Sequence, residues 1–558
     1  MKFTKYLAIG VLAAMSLGFG ACTDDLNVTP NDPNKQLEPA NAEQWWGYFG
    51  SLYGNFLYEN GLTPSGVDGG AGTWMRCHWN LQEIAADEAI ISYKWNDHGY
   101  TALNFNTWLT DNMWCFMAFQ REATTARLCT EFISKADGAL NAGIAAEEVE
   151  SWKAEAQVLR AYCYYYMIDL FGRGPWVPGT ATGDTPPTYD RAQLFDAVTA
   201  DLLDAINNPN FKSAADQGYG RVCKEAARML LAKLYLNSEV YTGIARWQEC
   251  ADQLKLIAPN ANGLAAEYKY LFCESNDRYV SCKENGGVNE ILWAIPQKRG
   301  EYETWGGTTY MTAGCYDELA PVSVLVSLGA GKSTYNNDKK VHELSGPGNP
   351  WTGVRMRPEL SQNLIDNGGN RNLSFGAYYQ GKVVQNDVEV DWDGPFYNIG
   401  IANLYDYGPG ADGYMCTKYT YTTEDDYYNE NEVAPSTQVC DTDFPLFRLA
   451  DAYLMLAECK LHGAAGVDDS YFNAVRARAG LSPINNPNAN EILRERQSEL
   501  YFEGHRRSDL VRFGRYAGST YNWSWKGGVL AGAGIDNYRN VYAIPYQYVP
   551  TVGQNQGY

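Results

Sequence analysis

The stretch from Glu491 to Phe513, EILRERQSELYFEGHRRSDLVRF, leaves a folding chain few options. Ile492, Leu493, Leu500 and Phe502 stand apolar among charges, the pattern of a helix with a narrow buried face. Glu495, Glu499 and Glu503 repeat at i,i+4 and repel one another unless answered. Arg494, Arg496, Arg506 and Arg507 lie close enough in sequence to answer them. Gly504 is a natural point for the helix to break. Leu510, Val511 and Phe513 then restart an apolar face, with Asp509 and Arg512 interleaved. A solvated helix does not need this many large apolar residues, and a buried one must pair its charges. The stretch therefore predicts a buried packing element zipped by ion pairs.

A chain of 558 residues has length for a large core, or for two or three domains. A net charge of −22 argues against nucleic acid and against electrostatic docking to an anionic membrane surface. Aromatics reach 14%, with 16 Trp and 41 Tyr, enough to serve as core, as interface or as platforms for sugar rings.

The first 21 residues read as a signal peptide. Lys2 and Lys5 are followed by an apolar run, Leu7 to Gly20, that is short for a membrane span. Leu17 to Cys22, LGFGAC, ends in small residues before Cys and resembles a bacterial lipobox, which would leave a lipidated Cys22 at the mature N-terminus. Residues 22–40 are polar and rich in Pro and Asn, as in a tether. Twelve cysteines follow Cys22. Cys163, Cys223 and Cys459 fall inside helical patterns and read as small buried thiols. Cys273 and Cys282 alone are close together in a loop-like context, and no zinc spacing occurs.

Helical periodicity organises residues 41–257. Trp45, Phe49, Leu52 and Phe56 mark one helix, whose aromatics read mainly as core, and 108–133 another. Trp152, Ala156, Leu159, Cys163, Tyr166 and Leu170 give the cleanest pattern, ended by Phe171-Gly172 and Pro175. Helices over 194–206, 224–238 and around Trp247 to Ile257 follow, and 447–461 with 471–479 make a later pair in the region 443–558. Short turns between such pairs imply stacked helix hairpins, similar to degenerate tetratricopeptide repeats. Residues 258–442 change character, being rich in Gly, Asn, Tyr and Asp. They read as a loop-rich insertion with short β pieces such as 291–295 and 381–390. The fold class is thus mainly α, with the insertion carrying the ligand face.

Catalytic motifs are lacking. Gly329 to Thr334, GAGKST, suggests a phosphate loop, but Val326 stands where the motif requires Gly. There is no GxSxG elbow and no HExxH, and the five His have no metal-ligand spacing. With 66 acidic residues some carboxylate pair always looks plausible for glycoside hydrolysis, so counting supports no catalytic pair.

Several separated motifs agree with one family. ERQSELYFEGHRRSDLVRFG resembles the C-terminal signature of the SusD/RagB family. Glu155-Ala156, Leu159 to Tyr162 and Asp169 to Gly172 are similar to its first long helix and exit. Ala232 to Asn237 with Tyr241, Phe447 to Leu454 with Ala457-Glu458, and Val475 to Leu481 are similar to its later helices. The resemblance implies a lipoprotein of the Bacteroidetes outer membrane, surface-exposed and anchored at Cys22. Thr23-Asp24-Asp25 resembles a surface-export signal of such lipoproteins. It implies capture of a poly- or oligosaccharide for a SusC-like TonB-dependent transporter, with no catalysis, no cofactor and no metal, and with the helical side as the docking surface. Trp525 to Gly528, Tyr542 to Pro545 and Gln554 to Tyr558 resemble the starch-binding branch in particular. That branch has a ligand aromatic and an Asn just after an Asp-Glu pair. Here the pair is Asp87-Glu88, which places Tyr93 and Asn96 at those positions with Trp95 between them. Another ligand aromatic precedes a Gly-Gly, here Trp305 before Gly306-Gly307, and Arg76 and Asp68 fall where polar contacts are expected. Trp74 and Trp79 read as packing. The alternatives are an oligopeptide-capturing lipoprotein of the RagB branch, or a glycoside hydrolase.

Overall fold

The computed structural model describes residues 39–59, 61–64, 67, 69–91, 99–180, 184–280, 289–317, 320–328, 332–336, 341–345, 350, 353–376, 378–385, 388–404, 410–422 and 439–558. The stretch expected to be a signal peptide, Cys22 and most of the expected tether lie outside them, as do Cys282 and Gly329 to Gly331.

Helices form where the apolar spacing placed them. Ala42–Leu57 starts at Asn41, whose side chain accepts the Gln44 N–H, and Met113–Lys135 starts at Asn112, which accepts from Trp114 and Cys115. Ala146–Tyr166 passes into a wider turn, Met167–Phe171, that stops at Gly172 with φ +68. Arg191–Asn207 opens with a capping box between Asp190 and Gln193. These helices pack in succession with Lys224–Leu236, Trp247–Ile257, Leu449–Leu461 and Ser470–Arg478 as antiparallel neighbours, so the frame is a stack of helix hairpins. Among the described residues no helix is long and apolar enough to cross a membrane. The eleven described cysteines are buried and unbridged.

One ladder joins frame and insertion. Ile291–Ile295 pairs antiparallel with Phe444–Arg448, so the chain leaves the frame and returns to it at neighbouring strands. Phe447 and Arg448, expected in a helix, are therefore strand, and the helix begins at Leu449. Between the two strands lies more regular structure than the composition suggested. It includes the helices Thr308–Cys315, Val322–Ser327 and Pro358–Asn367 and the hairpin Tyr378–Gln385/Val388–Pro395. Lys332–Asn336, the tail of the phosphate-loop lookalike, is a strand paired with Val341–Ser345. The main core runs through the frame and the base of the insertion, and a smaller cluster around Tyr316, Phe396, Tyr397 and Met415 belongs to the insertion alone.

The Glu491–Phe513 stretch is buried as expected, but its pairing differs. The helix Ala489–Leu500 ends before Gly504, because Tyr501 leaves helical geometry and Phe502 takes φ +63. The neighbouring arginines do not answer the three glutamates. Glu495 pairs with Arg371 at 2.8 Å and Arg476 at 2.6 Å. Glu499 pairs with Arg448 at 3.0 Å, Arg371 at 3.2 Å and Arg478. Glu503 pairs with Arg448 at 2.7 Å and Lys418 at 2.6 Å. Arg496 turns instead to Asp451 and Asp509, and Arg506 to Asp87. Arg507 lies over the rings of Tyr516 and Tyr542. Arg494 reaches toward Asn363. The reason is geometric: residues on one helix face point the same way, so their partners come from the elements that face them.

Candidate functional site

Trp305 is 45% exposed, which is unusual for so large an apolar ring. It sits on a turn whose underside is fixed. The Thr73 hydroxyl lies 2.9 Å from the Gly70 carbonyl and 3.1 Å from the Gly306 carbonyl, tying the turn to the 69–73 segment. A side chain on Gly70 or on Gly306 would run into the backbone of the other, so this approach needs the two glycines. A Cβ on Gly69 would stand 3.8 Å from the Trp305 ring. The Glu59 carboxylate accepts the Gly70 N–H and the Thr63 hydroxyl.

Beneath this segment Arg121 is fully buried and donates to backbone carbonyls: Asn55 at 3.2 Å, Tyr58 at 2.9 Å, Glu59 at 2.6 Å, and Gly72. The last carbonyls of a helix and those of the loop beyond it have no ladder to satisfy them, and one guanidinium satisfies four of them. Burial lowers the affinity of Arg121 for its proton.

Arg76 was expected to touch ligand. The structure buries it, at 4% exposure. Its guanidinium donates to the Gly69 carbonyl at 3.4 Å and to the Tyr100 hydroxyl at 3.1 Å, and lies 4.2 Å from the Tyr310 ring centroid. It holds the loop behind Trp305, on the side away from solvent. The other predicted residues, Asp68, Tyr93, Trp95 and Asn96, lie outside the described residues. Both ends of the 92–98 segment are described, however. Asn104 accepts the Ile91 N–H at 3.1 Å and donates to its carbonyl at 2.8 Å. Asn112 donates to the Gly99 carbonyl at 3.2 Å. Arg357 donates to Ala89 at 2.8 Å, Asn104 at 3.0 Å, Ile84 at 3.1 Å and Ser524, all backbone carbonyls. Burial pulls Arg357 down to about 10. Ile91 and Gly99 are thus each held by an asparagine side chain, and Arg76 connects Tyr100 to the Gly69 carbonyl beside the Trp305 turn.

Asp87 and Glu88, the pair used to place Tyr93 and Asn96, are buried in the frame. Asp87 pairs with Arg506 at 2.6 Å and accepts the Tyr521 hydroxyl at 2.5 Å, while Glu88 accepts the Phe502 N–H at 3.0 Å. Trp74 and Trp79 are buried. Sequence reasoning missed Thr73, Arg121 and Arg357. The doublets Gly69-Gly70 and Gly306-Gly307 were the available signal of close backbone approach. Among the described residues no group of three or more His, Cys, Asp or Glu is placed to hold a metal ion.

What the arrangement offers is an open, flat indole on an immobile base, suited to stacking on an apolar ring face. Comparison with known proteins agrees with the architecture. Residues 289–555 match the sequence model of the SusD family. The chain is 25% identical to the starch-binding protein SusD of Bacteroides thetaiotaomicron, over all of this chain and 99% of that one. It shares its fold with surface glycan-binding protein A from Bacteroides uniformis, at a TM-score of 0.63 and 18% identity, covering 92% of this chain and 99% of that one. It also shares it with surface glycan-binding protein A from Bacteroides thetaiotaomicron in complex with laminarihexaose, at a TM-score of 0.61 and 17% identity, covering 92% and 99%. Residues 289–555 thus match the SusD family, and the full-length likeness to SusD and the shared helical frame extend that similarity over the rest of the chain.

Proposed function

We propose that this protein captures a poly- or oligosaccharide at the cell surface without cleaving it and passes it to a SusC-like TonB-dependent transporter of the outer membrane. A lipid on Cys22 and the tether of 22–40 would hold it there. The division of labour we propose is a helical frame (41–257 and 443–558) facing the transporter and a loop-rich region (258–442) facing the glycan. The observation that carries the reading is Trp305, a solvent-open indole whose turn is locked from below by Thr73, Gly70 and Arg121. Relatives named for starch, laminarin or surface-glycan binding support the substrate class. Tyr93, Trp95, Asn96 and Asp68 would complete the site from the segments that Arg357, Asn104 and Arg76 anchor. A sugar ring offers an apolar C–H face to the indole and hydroxyls to Asn and Asp.

Calorimetric titration of the soluble chain from residue 23 tests this against α-glucans, β-glucans, fructans and mixed oligopeptides. Saturable binding to one glycan class, lost in Trp305→Ala, is the expected result. Glycan binding retained in the variant would move the site, and peptide binding without glycan binding would overturn the function. Release of reducing sugar by the purified protein would identify a hydrolase instead.

A further inference from the structure

Among the described residues a second tryptophan is as open to water as Trp305. Trp46, on the helix Ala42–Leu57, is 44% exposed. Gly50 and Gly54 follow it at four and eight residues, which the helical repeat puts on the same face. Tyr58, also exposed, comes directly after the helix, and its ring lies over Gly54, where a Cβ would come 3.6 Å from it. Along this face an indole is thus followed by bare backbone and then by a phenol. Glycine inside a helix is unfavourable relative to alanine, so it needs a reason. Close packing is not the reason here. A Cβ on Gly50 would meet nothing within 4 Å, and one on Gly54 only the Tyr58 ring. What these glycines leave is room. A cavity of about 380 Å³ lies over them, between this helix, the turn around Gly220 and the strand Ile291–Ile295.

The cavity leads from one exposed indole toward the other. At one end Arg221 lines it and reaches over the Trp46 ring, 5.6 Å from the centroid. Glu155 at 2.5 Å and Glu148 at 3.1 Å hold that guanidinium in place. Trp152 backs the same indole in an edge contact, with centroids 4.7 Å apart. At the other end Tyr302 lines the cavity three residues before Trp305, and the Tyr58 hydroxyl lies 3.5 Å from the Glu301 carbonyl. Glu59, next after Tyr58, accepts the Gly70 N–H of the segment that holds the Trp305 turn. The wall of the cavity and the base of the platform are therefore one piece of backbone.

We infer that this cavity extends the glycan site into a track for a long chain, running from Trp305 past Tyr302 and Tyr58, over Gly54 and Gly50, to Trp46. The inference rests on the glycan-capture reading above and adds to it a preference for chain length. Phe56 and Trp293 are buried beneath the track and only support it, while the exposed lining is tyrosine, glycine, proline and arginine. Tyrosine rings offer faces to sugar C–H groups, and their hydroxyls offer partners to sugar hydroxyls. Bare glycine backbone lets a broad chain lie close. Helical rise alone separates Trp46 from Leu57 by about 16 Å, and Trp305 is reached past Tyr58 and Glu59. A short oligosaccharide on Trp305 does not span that distance, so only a chain of several linked rings touches both indoles and gains from both.

Calorimetric titration of the chain from residue 23 tests this with the trisaccharide and heptasaccharide of the malto-, laminari- and inulo-oligosaccharide series. In the series that binds, the heptasaccharide should bind at least about tenfold more tightly than the trisaccharide. Trp46→Ala should weaken heptasaccharide binding by roughly three- to tenfold, the worth of one stacked ring, and leave the trisaccharide unchanged. Gly50→Leu, which fills the track, should do the same while the thermal midpoint holds or rises, since leucine favours helix. It keeps the test open should Trp46→Ala disturb the packing on Trp152. Trp305→Ala should weaken both lengths. Equal affinity for the two lengths, or a length preference that survives either folded variant, would overturn the track and leave the Trp305 platform standing. Binding by no member of the three series would overturn the capture reading itself, and the track with it.

Discussion

Around Glu499 the buried arginines meet carboxylates, whereas beneath Trp305 and beside Ala89 and Asn104 they meet backbone carbonyls. Arg448, 1% exposed, reaches Glu290 and, far along the chain, Glu499 and Glu503, residues from two separate parts of the sequence. Arg121 and Arg357, equally buried, reach backbone carbonyls at the ends of helices and just beyond them. The electrostatics divide accordingly. Burial disfavours the charge on every one of these groups, but the facing carboxylates outweigh it at Arg448 and hold its proton more tightly than usual. At Arg357 burial prevails. A carboxylate partner locks one element to another, while a crown of carbonyls fixes the shape of a loop. The frame is built the first way and the platform the second.

Arg448→Met tests the frame most severely. It leaves Glu290, Glu499 and Glu503 short of a partner in the core, and removing one member of a buried ion-pair network costs about 3–5 kcal/mol. We expect loss of soluble expression or a large fall in the denaturation midpoint. A variant that melts within a degree or two of wild type would mean that the network does not hold the frame together.

These two kinds of burial differ in how well sequence announces them. The helix pairs, the strand 291–295 and the buried Glu491–Phe513 stretch were legible because apolar spacing and local charge are written within a few residues. The partners of Glu495, Glu499 and Glu503 were not, since Arg371, Lys418 and Arg448 lie 51 to 128 residues away, as for Glu499 with Arg448 and with Arg371. The close backbone approach beside Trp305 was legible through the glycine doublets. Arg121 was not, because a lone arginine in an amphipathic helix gives no sign that four carbonyls will converge on it. Arg76 shows the converse: its position near the loop was readable, but its direction was set by Tyr100 and Tyr310, far along the chain.

The pH dependence should distinguish the frame from the base of the insertion. Burial pushes Glu499 and Asp509 up, yet their arginine partners outweigh it and hold each at about 2. Their contribution is complete above the ordinary carboxylate range and is lost as pH falls toward about 2. Asp443, which joins the base of the insertion, is opposite. Burial raises it to about 8, with only the Gln297 N–H opposing. Its folded form keeps a proton that the unfolded chain releases, so it lowers stability progressively as pH rises from about 4 to about 8. Asp443→Asn should flatten that limb and stabilise at pH 8 by an amount on the order of a few kcal/mol, with little change at pH 4. Denaturant midpoints at both pH values check it, and an equal shift at each would refute the assignment.

Arg121→Met should cost less than Arg448→Met, about 2 kcal/mol, because water can reach some of the carbonyls it abandons near the surface. Its mark should be local. Amide exchange should quicken over residues 59–73 and around Trp305 before the rest of the protein responds. Uniform faster exchange would assign Arg121 to the frame.

Trp305→Ala should have the smallest effect on stability. Nearly half the ring is in water, and substitutions at such positions are usually within about 0.5 kcal/mol of neutral. The turn beneath is held by Thr73 and Gly70 through backbone atoms that the substitution leaves in place. Were the indole part of the core, its loss would cost several times more. The contrast therefore reduces to one pair of numbers, the change in melting temperature and the change in glycan affinity. A negligible first and a large second would mean that the platform carries its ring for a ligand. A large first would return Trp305 to the frame, whatever the binding result.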